Sequence, residues 1–258
     1  MKLKQIQIIT GIIFFLYSEG FCNDLSSEHV VLLHGLARTK SSMEKLEKHL
    51  EKQGFGVFNL GYPSRSKTIE ILAEEEIPKA LAYCRKKGAK KIHFVTHSMG
   101  GIMVRYYLKH HDISEIGRVV MLSPPNNGSE IVDEWRDNFV FKWINGPAGE
   151  QLGTDENGLP KKLGKVGFDL GIITGDRSVN LILSCIIPGK DDGKVSVQSA
   201  MVNGMDDFII IHATHPFIMK NRHTIEQVTA FLICGKFKRE KPVDPDGNKK
   251  IFFPVIEQ

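Results

Sequence analysis

Ile92-His93-Phe94-Val95-Thr96-His97-Ser98-Met99-Gly100-Gly101 is a largely apolar segment that runs straight into a serine followed, one residue later, by two glycines. Behind it Ile102, Met103, Val104, Tyr107 and Leu108 recur at the three- and four-residue spacing of a helix with one apolar face. Strand, tight turn bearing a serine, then helix is the setting of a nucleophile elbow. There a strained backbone lifts the serine hydroxyl above the edge of a sheet. The residues two before and two after the serine approach each other in such a turn, so both should be small. Gly100 meets that need; Thr96 is larger than the glycine usual at the other place. A serine capping an ordinary helix is the plainer alternative, but the strand, both flanks and a second loop upstream agree on the elbow.

That second loop is His34-Gly35-Leu36, which ends the apolar run Val30–Leu33. An uninterrupted run of this kind suits a central parallel strand covered on both faces. Gly35 allows a turn that leaves the Leu36 amide free, and the residue after the serine supplies a second amide. Leu36 and Met99 are therefore the candidate backbone donors to an oxyanion. His34 precedes the wrong turn to act as a base and is read as structural.

Further out the pattern alternates. Ser41-Ser42-Met43-Glu44 reads as a capping box opening a helix with Met43, Leu46 and Leu50 inward. Phe55–Leu60 reads as a strand. Thr68 caps a helix to about Lys87 with Ile69, Leu72, Ile77, Ala80, Leu81 and Cys84 inward, and its Glu74-Glu75-Glu76 run reads as a solvated face. Arg118–Ser123 is another buried strand, broken by Pro124-Pro125. Residues 126–165 are the least regular part, an insertion or lid holding Trp135, Phe139, Phe141, Trp143 and Ile144. These aromatics either shape an acyl pocket or simply pack on the body. Strands at Phe168–Thr174 and Phe208–Ile211, and a helix from Thr224 to about Gly235, complete residues 25–258 as one domain, with a basic, turn-rich tail at 236–258.

Composition narrows the classes. A net charge of +4 with scattered Lys and Arg gives no stripe for nucleic acid. Residues 1–20 have the make-up of a signal peptide: a basic start, a short apolar run, then Ser18-Glu19-Gly20. The run is about half the ~20 residues needed to cross a bilayer, so the expectation is an exported protein, periplasmic or secreted, with an uncleaved anchor as the alternative. Cys22, Cys84, Cys185 and Cys234 match no metal spacing. Cys84 and Cys234 read as buried thiols, and no bridge is assigned.

A serine hydroxyl needs a histidine to take its proton and a carboxylate to orient that histidine. Ser98 is followed by acids at Asp176, Asp191 and Asp192, and then by His212 and His215 after the last strand. That is the order serine, acid, histidine.

Taken in series, His34-Gly35-Leu36, Thr96–Gly101, Pro125-Asn126-Asn127-Gly128-Ser129-Glu130, Asp191-Asp192-Gly193-Lys194-Val195-Ser196-Val197 and Thr214-His215-Pro216-Phe217 resemble the bacterial α/β-hydrolases of the lipase type, related to class 2 triacylglycerol lipases. The resemblance covers about residues 29 to 237. It implies an α/β-hydrolase fold, with a mostly parallel central sheet, helices on both faces and the insertion after the strand at 118–123. It also implies Ser98 as nucleophile, Asp192 as acid and His215 as base, with Asp176 the next choice for the acid. Ester hydrolysis without a cofactor or metal follows, on a small-molecule or lipid ester, with transient contact with a lipid interface in prospect. Acyl transfer, thioester hydrolysis and a non-catalytic binding member of the fold are the other readings. Acyl length, leaving group and oligomeric state are left open.

Overall fold

The protein is described by a computed structural model covering residues 25–156, 158–178 and 186–239. The expected signal segment, Cys22, Cys185 and most of the tail lie outside those residues. Six strands form one sheet: β1 (Glu28–Leu33), β2 (Gly56–Leu60), β3 (Lys91–His97), β4 (Ile116–Leu122), β5 (Leu170–Gly175) and β6 (Asp207–Ile211). All neighbours run parallel, in the order β2-β1-β3-β4-β5-β6. The central strands are largely apolar because both of their faces are covered.

Alternation along each strand divides the core. Val31, Leu33, Phe94, Val119, Met121 and Ile172 point to one side. They meet α2 (Ile69–Lys86) and α3 (Met99–His110) there. Val30, Leu32, Val95, Val120, Leu122 and Ile173 point to the other, against α1 (Glu44–Lys52) and α7 (Arg222–Cys234). Each fully buried Val, Leu or Ile contributes roughly 1.5–3 kcal/mol, so both layers are needed. The chain after β1 goes to one face and the chain after β3 to the other. The C-terminal ends of these adjacent strands therefore open a crevice, where open parallel sheets bind ligands.

One irregularity in the sheet is filled by a histidine. Between β3 and β4 the register advances two residues on β3, from Ile92 to Phe94, against three on β4, from Ile116 to Val119, which leaves a bulge at 117–118. His93 Nδ1 accepts from the Arg118 amide at 2.8 Å, and its Nε2 donates to Glu28 at 2.8 Å. A Cβ on Gly117 would lie 2.6 Å from His93 Nδ1, so only glycine fits opposite the ring.

Several sequence expectations need correcting. Ser41–Glu44 does not form a capping box: a 3₁₀ turn at Lys40–Met43 leads into α1, and the Ser42 hydroxyl donates to the Thr39 carbonyl instead. The 126–165 stretch is more regular than its composition suggested, with α4 (Glu130–Trp135), α5 (Phe139–Glu150, bent at Gly146) and α6 (Leu159–Leu163). Glycine and proline inside α5 masked its periodicity. Glu76 is buried beside Lys79, unlike its neighbours in the acidic run. Cys84 is buried, and burial pushes its thiol up to about 11. Cys234 is exposed, because it is the last residue of α7, where Gly235 turns the chain away.

Candidate active site

The turn after β3 puts Ser98 at φ 52° and ψ −123°, a conformation that L residues with a Cβ rarely adopt. The turn is over-determined by its surroundings. The Ser98 amide donates to the Leu122 carbonyl at 2.8 Å, and Gly101 donates back to Ser98. A Cβ on Gly100 would lie 2.9 Å from the His34 carbonyl oxygen, so glycine lets α3 start hard against the end of β1.

The loop after β1 backs onto this turn. A Cβ on Gly35 would stand 3.1 Å from Ser98 Cβ and 2.8 Å from His97 Nδ1. His34 is buried in that loop, its Nδ1 donating to the Gly35 carbonyl at 2.9 Å and its ring stacked on Tyr62 at 4.1 Å. The Tyr62 hydroxyl donates to the His34 carbonyl, and the Ala37 amide to Ser64 Oγ at 3.1 Å. These bonds hold the segment bearing Leu36. His34 is a brace, as its place in the sequence suggested.

His215 follows β6, and Asp192 lies in a loop that closes over the end of β5. The Ser98 hydroxyl is 3.1 Å from His215 Nε2, and His215 Nδ1 donates to Asp192 Oδ2 at 2.8 Å. Asp192 Oδ1 accepts from the Lys194 and Val195 amides at 3.0 and 2.9 Å, and the Asp192 carbonyl accepts from the His215 amide at 2.8 Å. Asp192 is fully buried. Burial pushes its carboxyl up, but His215, then Ser123, then the Val195 amide outweigh this, and the pKa ends below the usual aspartate range. Val195 anchors the turn by burial, whereas Val197 is only half-buried.

The alternative acid goes elsewhere. Asp176 Oδ1 bonds the exposed His212 at 2.9 Å. The residue before it, Gly175, has no room for a Cβ between the Ala213 carbonyl and Asp192 Cβ. Asp191 Oδ1 accepts from the Gly193 amide.

His97 was not singled out in the sequence, although it directly precedes the serine. It is buried; its Nε2 donates to the His215 carbonyl at 3.0 Å, and the two rings lie 4.8 Å apart. Burial, then the His215 charge, hold it well below its ordinary value, so it stays neutral. Burial also lowers His34 and His93. A group lowered on folding stays unprotonated where the unfolded chain takes up a proton. Stability should therefore fall as pH drops from about 6.5 toward the folded values, by up to about 1.4 kcal/mol per pH unit for each histidine. Asp192 adds a loss at lower pH, from about 4, where the unfolded carboxyl takes up a proton, down to its own folded value. Urea midpoints between pH 7.5 and 5 test this; a flat profile would mean that these rings are already charged or wet in the native state.

The Pro125–Glu130 motif ties the base of the insertion to the loop after Asp192. Asn126 Nδ2 donates to Ala200, Asn127 Nδ2 to Met201 and Ser129 Oγ to the Lys194 carbonyl. Arg105, buried on α3, donates to Asn126, Pro160 and Gly164, and burial pulls its guanidinium down to about 10. Gln151 closes the other end, accepting from the Ile69 amide and donating to Glu70. Fixed in this way, the insertion roofs a depression of about 80 Å³ over Ser98. Leu36, Arg38, Ser98, Lys194 and His215 of the body meet Ile131, Val132, Phe141 and Asn145 of the insertion there. The outer side of α5 carries Phe139 and Trp143, 80% and 82% exposed.

A six-stranded parallel sheet with a strained serine turn at its switch point defines an α/β-hydrolase architecture. A sequence model of the alpha/beta hydrolase fold matches residues 28–163, just over half of the chain, and the protein belongs to that family. Among curated protein sequences none matches. Similar solved structures include the mature form of lipase BlEst2 from Bacillus licheniformis, 19% identical, with a TM-score of 0.62 over 82% of this chain and 93% of that one. Phospholipase PlaB from Legionella pneumophila is 16% identical, with a TM-score of 0.62 over 79% of this chain and 57% of that one. The metagenomic carboxyl esterase MGS0156 is 17% identical, with a TM-score of 0.59 over 75% and 66%. At such identities the likeness establishes the fold.

Proposed function

We propose that the protein is a serine hydrolase that cleaves carboxylic esters through an acyl-enzyme. The observation that carries this reading is the unbroken hydrogen-bond series Ser98–His215–Asp192, with its serine on a strained turn. In the proposed reaction Ser98 Oγ attacks the ester carbonyl as His215 Nε2 takes its proton. Asp192 keeps the other ring proton on Nδ1 and stabilises the imidazolium. The Leu36 and Met99 amides receive the developing oxyanion. His215 then protonates the leaving alcohol, and a water activated by the same ring releases the acid. Acyl transfer or thioester hydrolysis would use the same groups. Product analysis with a competing alcohol separates transfer from hydrolysis.

The insertion bears on substrate size. About 80 Å³ is small beside the 300–1,000 Å³ of ordinary ligand pockets, so long acyl chains require α4 and α5 to shift. The exposed aromatics on the outer face of α5 suit contact with a lipid surface during that shift. Phe141→Ala should then reduce rates on long-chain p-nitrophenyl esters more than on acetate, by several-fold per few methylenes, since each such contact is worth about 1 kcal/mol or more. Trp143→Ala should lose more on emulsified esters than on dissolved ones. Equal losses on every ester from acetate to palmitate, with lowered thermal stability, would reduce both residues to packing.

Export rests on residues 1–20 alone. N-terminal sequencing of the protein from its native source should begin at Phe21; an intact Met1 would point to a retained anchor instead.

A further inference from the structure

The surface of the depression over Ser98 carries two cations and no acidic side chain. Arg38 comes from the loop that follows Leu36, and Lys194 from the turn that follows Asp192. Neither side chain has a hydrogen bond or an ion pair among the described residues. Several other cations on the surface do have a carboxylate partner: Lys67 with Glu75, Arg85 with Glu115, Arg136 with Asp133 and Asp155, and Arg239 with Asp207. Asp192 acts on Lys194 as a counter-charge, but it is fully buried, and its oxygens are held by His215 and two backbone amides.

The two cations also act on each other. The protein around Lys194, and then Arg38, lower its ammonium pKa, while Asp192 opposes them. Lys194 is solvent-exposed, so water screens that effect. Two like charges held beside one pocket without a carboxylate cost free energy that a bound anion would recover. Arg38 offers a planar fork for a carboxylate or phosphate, and Lys194 a mobile point charge.

We propose that this pocket is built for anionic esters, in which a carboxylate or phosphate stands a few atoms from the scissile carbonyl and is received by Arg38 and Lys194. The inference rests on the ester-hydrolase reading and names the substrate class of that site. Each charge-assisted contact is worth roughly ten- to hundredfold in kcat/KM, with an exposed cation at the lower end.

The test uses two matched pairs of esters. p-Nitrophenyl hemiglutarate against p-nitrophenyl butyrate places the charge on the acyl side. A lysophosphatidic acid against the monoacylglycerol of the same chain places it on the alcohol side. The readout is the ratio of kcat/KM, anionic over neutral, for the wild type, Arg38→Gln, Lys194→Met and Lys194→Arg. The expected ratio in the wild type exceeds ten for one pair and shrinks as salt is raised. It falls about tenfold in Arg38→Gln and in Lys194→Met, and it survives in Lys194→Arg. The pair that responds tells carboxylate from phosphate. A wild-type ratio of one or below in both pairs, or a ratio that neither folded variant moves, overturns the anionic preference while leaving ester hydrolysis standing. Turnover of no ester at all by the wild type overturns both readings together.

Discussion

Ser98→Ala protein should fold as the wild type does and lose about 10⁶-fold in kcat on any ester that the wild type cleaves, the scale seen when a triad nucleophile is removed from a serine protease. Alanine keeps the Cβ, so the strained φ of 52° and the bonds from Ser98 N to Leu122 and from Gly101 to Ser98 are retained. Only the hydroxyl that meets His215 is lost. The loss therefore reads chemistry, and equal thermal unfolding of the two proteins is the control. Substitution by glycine separates strain from chemistry. Ser98→Gly should be equally inactive but somewhat more stable, because glycine takes a positive φ without the cost that a Cβ imposes. Appreciable turnover by folded Ser98→Ala would place the nucleophile elsewhere.

Asp192→Asn should be the next largest effect, about 10⁴-fold in kcat, as when the equivalent acid of a serine protease is made an amide. The Lys194 and Val195 amides donate to Oδ1, and the asparagine carbonyl oxygen would keep those two bonds. The amide nitrogen then faces His215 Nδ1, where it can only donate. The ring proton is driven to Nε2, and the serine loses its acceptor. Asp176→Asn should change kcat little, since Asp176 bonds His212 on the surface. The reverse outcome, an inactive folded Asp176→Asn beside an active Asp192→Asn, would transfer the role to Asp176.

The contrast between these two acids shows where the sequence was informative. The elbow was legible because strand period, serine turn and helix period change within ten residues, and Gly100 stands where two backbones nearly touch. The two-sided burial of β1, β3 and β4 was written in their largely apolar runs. The acid was harder to place. Asp176 directly follows its strand, and only the three-dimensional path shows that Gly175 clears the way for Asp192 to reach over β5. The His97 bond to the His215 carbonyl joins residues 118 positions apart, and no local pattern reports such a pair. Nothing local marks Arg105, a cation on a helix, as the one buried under carbonyls from Asn126, Pro160 and Gly164. The insertion read as irregular because Gly146 breaks the helical period inside α5. The bend is needed there, since a Cβ on Gly146 would strike the Arg65 carbonyl.

Covalent labelling probes the role of Ser98 independently of any choice of ester. The protein is treated with a fluorophosphonate, its intact mass is measured, and the modified peptide is sequenced. One adduct per chain, on Ser98, is expected, absent from Ser98→Ala and much slower to form in Asp192→Asn. A wild-type protein that takes up no probe, or an adduct of undiminished rate on Ser98→Ala, would show that Ser98 is not an activated nucleophile.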